Sequence, residues 1–197
     1  MNYERMQKQF DFILEVDKMK NIYRQTRVLH EDRQENDAEH SWHLALMAFL
    51  LAEHSNEALD ILRVIKMVLI HDLVEIDAGD TYCYDEKANE DKAEREMKAA
   101  GRIFGLLPHD QQEEFFALWQ EFEAVQTPEA KFAAALDRIQ PSLLNYTKDG
   151  VSWKSHEVSY SQVMKRNRPI RDGSETMWGY MERIYEAARE KGYLSRQ

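Results

Sequence analysis

"LDILRVIKMVLIHDLVEIDAGDTY", residues 59–82, changes character halfway along. The first half is apolar nearly all round, the pattern of a helix buried at the centre of a domain. The second half sets His71 beside Asp72 and follows them with Glu75, Asp77 and Asp80. Polar groups that are costly to bury without compensation therefore arrive where the buried helix ends. A central helix that delivers such groups at its own exit implies a helical domain built around a polar site.

The flanking sequence agrees. Seven glycines and four prolines punctuate 197 residues, and no alternating strand-like run, repeat or low-complexity linker interrupts them, which points to an all-α fold. A first helix is expected to pack through Phe10, Ile13, Leu14 and Met19. A second, capped by Asn36 or Asp37, runs from Ala38 to about Ala52 with Trp42, Leu46, Phe49 and Leu50 inward. The central helix spans Ala58 to Ile70. A charged helix follows with Ala93, Met97, Ala100 and Phe104 as its inner face, and after Pro108 another shows Phe115, Leu118, Trp119 and Phe122. Thr127-Pro128-Glu129 reads as a cap with proline at the first helical position, opening a helix that Pro141 is expected to kink. Residues 146–160 read as a long loop, and Thr176 to Ala188 as a last helix packing through Met177, Trp178, Met181 and Ile184.

An apolar content of 43% over 197 residues suits one substantial core, so a single domain over 1–197 is expected. The lone Cys83 excludes an internal disulfide framework, and no run of about 18 apolar residues suggests a membrane span. Both fit a cytoplasmic protein. The net charge of −10 sets the chain against nucleic acid and anionic membrane surfaces as partners. One basic island stands out, Lys18, Lys20, Arg24, Arg27 and Arg33, which unassisted reads as a solvated helix end. Lys165 to Arg171 read as a second, surface patch. The adjacent Phe115 and Phe116 offer apolar surface to two sides of one helix and motivate a homodimer.

His71-Asp72 has company. His40 lies in "ENDAEHSWHLALMA" (35–48), and Asp137 interrupts an apolar helical face in "AALDRIQPSLLN" (134–145), with the small Ala133 and Ala134 one turn earlier. Two imidazoles and two carboxylates form a mixed nitrogen and oxygen shell suited to one divalent ion such as Mn, Co, Fe or Zn. Without thiolates, the set favours a metal that keeps open positions over a structural zinc. Glu75, three residues beyond Asp72, would sit near the open side and could take a proton from an attacking water. His43, one turn after His40, reads as support or packing, and Asp77 as a helix-end residue.

These motifs, in order over residues 10–147, resemble the H…HD…D signature of the HD-domain metal-dependent phosphohydrolases, and among them the small hydrolases allied to the 5'-deoxynucleotidases. The resemblance implies an all-α HD-domain bundle with a metal site between its central helices, held by His40, His71, Asp72 and Asp137. It implies hydrolysis of nucleoside 5'-monophosphates, deoxynucleotides foremost, to nucleoside and phosphate. Glu75 falls on the family's catalytic glutamate and Asp80 on a second active-site acid. An arginine ahead of the first histidine contacts the substrate, for which Arg24 and Arg27 are the candidates. No tryptophan stands beside either one, so a choice between deoxy and ribo sugars does not carry over. Sister chemistries on alarmones or cyclic nucleotides are the competing expectation, but Ile76 occupies the place of a second acid in the alarmone pattern. A metal-containing regulatory module that binds nucleotide without turnover is the other alternative. Trp153 and His156, in the expected loop, are candidates for a lid.

Overall fold

Thr127 Oγ1 accepts from the Ala130 amide, Pro128 takes the first helical position, and the chain then stays helical to Thr147, passing through Pro141. This long helix is the axis of the fold in a computed structural model that describes residues 3–79 and 91–195. In chain order the described helices are α1 (Tyr3–Val16), α2 (Asp37–Leu51), α3 (Ile61–Ile70), α4 (Glu75–Ala78), α5 (Lys92–Phe104) and α6 (His109–Ala124). The axis α7 (Pro128–Thr147) follows, then α8 (Val151–Ser155), α9 (Tyr160–Asn167), α10 (Ile170–Gly173) and α11 (Glu175–Glu190). Among the described residues the fold is all-α but for one short antiparallel pair, β1 (Tyr23–Arg27) with β2 (Gln34–Asn36), and an isolated bridge between Ser159 and Ser195. Helix α7 packs against α2, α3, α6, α10 and α11, and it buries Phe132, Ala133, Ala134, Ala135, Leu136 and Ile139. Small alanines on that face let neighbouring helices approach, and the same closeness brings side chains of α2 and α3 to Asp137.

Helix α3 is capped by Asp60, whose carboxylate accepts from Arg63 N, and it buries Val64, Met67, Val68 and Ile70 between α2, α6 and α7. Leu62 and Leu69 face outward, so α3 is central without being buried all round. At Ile70 the helix tightens into a 3₁₀ turn, His71–Val74, before α4 resumes. Gly79, at φ +76°, ends α4 with its amide on the Glu75 carbonyl, a backbone state that favours glycine. No helix among the described residues is long and apolar enough to cross a membrane.

Several expectations need correction. The basic island is split: Lys18 and Lys20 sit exposed on the 3₁₀ turn Asp17–Asn21, a helix end as expected, whereas Arg24 and Arg27 lie on β1 and Arg33 just before β2. On α2 the buried residues are Asp37, His40, Ser41, Leu44, Met47 and Ala48, whereas Trp42, Leu46, Phe49 and Leu50 point outward. On α1 only Phe12 is buried, and Phe10, Ile13 and Leu14 are exposed. On α5 the inner face is Glu96, Ala99, Ala100, Ile103 and Phe104, with Met97 outside. Residues 146–160 hold the end of α7 and α8 rather than a long loop. Trp153 there is buried against Tyr185, which removes it as a lid, while His156 meets Gln25. Phe115 and Phe116 pack edge-on against Phe12 and Phe104 and so are half-buried core, not a free surface.

Candidate metal centre

The site begins with a capping box. Asn36 Oδ1 accepts from the Glu39 amide while the Glu39 carboxylate accepts from the Asn36 amide, which starts α2 at Asp37 and places His40 one turn in. His40 is fully buried. Its Nε2 lies 3.1 Å from Asp137 Oδ1 and 3.9 Å from Asp72 Oδ2. His71, at the end of α3, turns its Nδ1 to the Val68 carbonyl at 3.0 Å, one turn back. Its Nε2 then faces Asp72 Oδ1 at 3.1 Å and Asp137 Oδ1 at 3.8 Å. The structure thus brings His40, His71, Asp72 and Asp137 together.

These distances test whether the residues fit a cation. With its Nδ1 proton given to Val68, neutral His71 has only a lone pair at Nε2, an atom that is buried and makes no hydrogen bond of good geometry. Lone pairs facing carboxylates at such range need a positive charge between them, a proton or a metal ion. The shell suits a divalent ion, since one donor atom each from His40, His71 and Asp72 lies within 4.8 Å of the others. In the metal-free chain a proton substitutes. Burial alone would lower the His71 pKa, but Asp72 and Asp137 outweigh it and raise it to about 10. Burial works against the Asp72 carboxylate, yet His71 and Arg24 hold it below the usual carboxylate range. His40 goes the other way, lowered by burial and by nearby Arg24.

A second layer of charge surrounds this shell. Glu75 is buried at the start of α4, and its carboxylate shares a 4.8 Å neighbourhood with those of Asp72 and Asp37. Arg24, on β1, donates from Nη1 to Asp72 Oδ2 at 2.8 Å and to Asp37 Oδ1 at 3.2 Å. Arg27 instead pairs with Asp32 at 2.5 Å on the exposed hairpin. His43 Nδ1 lies 3.3 Å from Gln140 Nε2, and Asp77 pairs with Arg102. The Lys165 to Arg171 patch lies on and after α9, with Lys165, Arg168 and Arg171 at the surface. Asp80 and Cys83 fall outside the described residues.

Sequence reasoning missed four groups. Glu35, Asp37 and Gln140 are buried beside the histidines, but nothing in their spacing marks them until the hairpin and α7 are placed. Lys92, on a helix expected to be solvated, pairs with Glu96 at 3.3 Å and lies in the field of Glu75 and Asp72. Burial pushes the carboxyl of Glu96 upward beside it.

The HD domain family model matches residues 16–178. The chain belongs to the HD domain family. A predicted metal-dependent phosphohydrolase from Magnetospirillum magnetotacticum MS-1 is 52% identical, with a TM-score of 0.93 over 97% of this chain and 96% of that one. Among curated relatives, 5'-deoxynucleotidase HDDC2 of Bos taurus is 34% identical over 109 residues, 55% of this chain and 51% of that protein. The Danio rerio protein of the same name is 31% identical over 137 residues, 68% and 66% of the respective lengths. The match spans about half the length of the mammalian relative. Against that family background, the His/Asp group described above is one that could hold its metal.

Proposed function

We propose that this HD-domain protein is a metal-dependent phosphomonoesterase that hydrolyses nucleoside 5'-monophosphates, deoxynucleotides among them, to nucleoside and phosphate. His40, His71, Asp72 and Asp137 would hold one divalent ion of the Mn, Co, Fe or Zn type. When bound, such an ion polarises the phosphoryl group and acidifies water. The observation that carries the reading is the pair of imidazole Nε2 atoms turned on the carboxylates of buried Asp72 and half-buried Asp137. The names of the relatives supply the substrate class.

The chain's own groups divide the remaining work. Glu75, near the shell but not needed in it, accepts the proton of the attacking water as the new P–O bond forms. The ester P–O bond breaks, and the departing 5'-oxygen takes up a proton, for which Asp80 is the sequence candidate. Arg24 meets the phosphate's negative charge, with Lys92, which lies in the field of Glu75 and Asp72, as a second cation. The test is phosphate release from a panel of ribo and deoxy 5'-monophosphates, a cyclic nucleotide and an alarmone, with Mn²⁺ or Co²⁺ added. Release from the monophosphates is expected. Turnover confined to the cyclic nucleotide or the alarmone would replace the reading with a sister chemistry, and binding without turnover would make the protein a regulatory module.

The same proposal takes the working form as a homodimer, on a surface other than the one the sequence suggested. Trp42, Leu46, Phe49 and Leu50 form one outward stripe of α2, with Trp42 64% and Phe49 69% exposed. Tyr3, Met6, Phe10, Ile13 and Leu14 form another along α1, which the 3₁₀ turn Asp17–Asn21 joins to the flank of α2. At ~200 Å² per large side chain the two stripes expose roughly 1,000 Å². A monomer's largest apolar patch is about 300–600 Å², and a standard interface takes about 800 Å² from each partner. A second copy is the occupant that this area fits.

A further inference from the structure

The two histidines are oriented in the same way by different means. His71 gives its Nδ1 proton to a backbone carbonyl, that of Val68, at 3.0 Å. His40 faces a side-chain carbonyl instead, Gln140 Oε1, at 3.0 Å from its Nδ1. Gln140 lies three residues beyond Asp137, so one face of α7 addresses both nitrogens of His40, Asp137 at Nε2 and Gln140 at Nδ1. The amide nitrogen of Gln140 points the other way, 2.5 Å from Glu35 Oε1 and 3.3 Å from His43 Nδ1. An ionised carboxylate only accepts, so Glu35 draws the NH₂ group and leaves the Gln140 oxygen for His40. Glu35, His40 and Gln140 are 3%, 0% and 1% exposed, which leaves little room for water to substitute.

We infer that Gln140 is a positioning residue for His40: its carbonyl holds the imidazole as the Nδ1–H tautomer with the Nε2 lone pair on the metal side, and Glu35 sets the direction of its amide. Without that carbonyl, the proton has a better place at Nε2, where Asp137 Oδ1 accepts it at 3.1 Å. The lone pair that would bind a metal is then occupied. His71 has no such weakness, because a side-chain substitution cannot remove the Val68 carbonyl.

This inference rests on the metal-site reading for its consequence but not for its test. Nitrogen-15 shifts of His40 and His71 are recorded on the chelator-stripped protein at pH 8, above the value of about 7 to which burial raises Glu35. The wild type is expected to show His40 protonated at Nδ1. Gln140→Met, close in volume, is expected to move that proton to Nε2 while His71 stays unchanged. In chelator competition Gln140→Met is expected to bind Mn²⁺ or Co²⁺ about 10- to 100-fold more weakly, the usual effect of losing a partner behind a metal-bound histidine. The double substitution Glu35→Gln with Gln140→Glu restores an acceptor for His40 and a donor behind it. It is expected to keep the Nδ1–H form and wild-type metal affinity within about threefold, a rescue by polarity alone. An unchanged His40 tautomer in folded Gln140→Met overturns the inference, as does a double variant that behaves like Gln140→Met; the double variant decides alone if Gln140→Met does not fold. A wild type that binds neither ion would sink the metal-site reading, while the nitrogen shifts would still judge Gln140.

Discussion

Glu75 shows how much one side chain depends on its surroundings. It is buried within reach of Asp72 and Asp37, yet the shell of His40, His71, Asp72 and Asp137 does not need it. Glu75→Gln keeps the volume and one acceptor oxygen, replaces the other oxygen by an NH₂ donor, and removes the charge and with it the capacity to accept a proton. We expect kcat to fall by about 10²- to 10⁴-fold with KM and metal content little changed. Near-normal kcat in a folded, metal-loaded Glu75→Gln protein would leave the glutamate a structural residue. His71 yields a second prediction, about stability without metal. Its pKa is about 10 in the fold against 6.5 unperturbed, so its contribution is fully present below pH 6.5 and is lost as pH rises through 10. Thermal melts of chelator-stripped wild type and His71→Asn are therefore expected to differ most near pH 6 and to converge towards pH 10. A gap that widens with pH would show that His71 is not held protonated by its carboxylates.

At the scale of elements, what was legible was whatever local chemistry dictates. Thr127-Pro128 opened α7 as expected, Asn36 capped α2, and the apolar run ending at Ile70 delivered His71-Asp72 to the centre. What was not legible was which apolar stripe faces inward. Helix α2 carries large apolar side chains on one flank and His40, Leu44, Met47 and Ala48 on another, and hydrophobicity alone chose the flank with Trp42 and Phe49. Burial went to the polar side because the site lies there, a choice made by partners on α3 and, farther along the chain, by Asp137 and Gln140 on α7. The hairpin was missed for a related reason: β1 and β2 are short, polar and bulged, and each strand is specified by its pairing and by Arg24's carboxylate partners more than by its own pattern. That placement separates two arginines that the sequence could not. Arg24→Ala is expected to lower kcat/KM at least tenfold at saturating metal, the loss of a charge-assisted contact of about 1.5 to 3 kcal/mol. Because Arg24 also holds Asp72 at 2.8 Å, metal affinity is expected to change as well. Arg27→Ala, which breaks only the exposed pair with Asp32, is expected to leave kinetics unchanged. Equal losses in both variants would mean that the hairpin as a whole, rather than Arg24, meets the phosphate.

At the scale of the whole molecule, the misread flank becomes informative. A chain with a net charge of −10 that nonetheless keeps Trp42, Phe49, Leu50 and the α1 stripe in the open leaves a large hydrophobic term unused in the monomer. The buried ion pairs and metal-site groups lie on the opposite flank of α2, so the apolar surface can be changed without touching the shell. Trp42→Glu with Phe49→Glu adds two negative charges per chain at positions that a two-fold interface would bring near their copies. We expect light scattering to give a dimer for the wild type at micromolar concentration and a monomer for the double variant. The melting temperature of the double variant is expected to fall and to lose its dependence on protein concentration. Metal content is expected to persist, since His40 and Ser41 point away from the altered stripe. A wild type that is monomeric at these concentrations would end the dimer proposal, and a variant that stays dimeric would move the interface off α2.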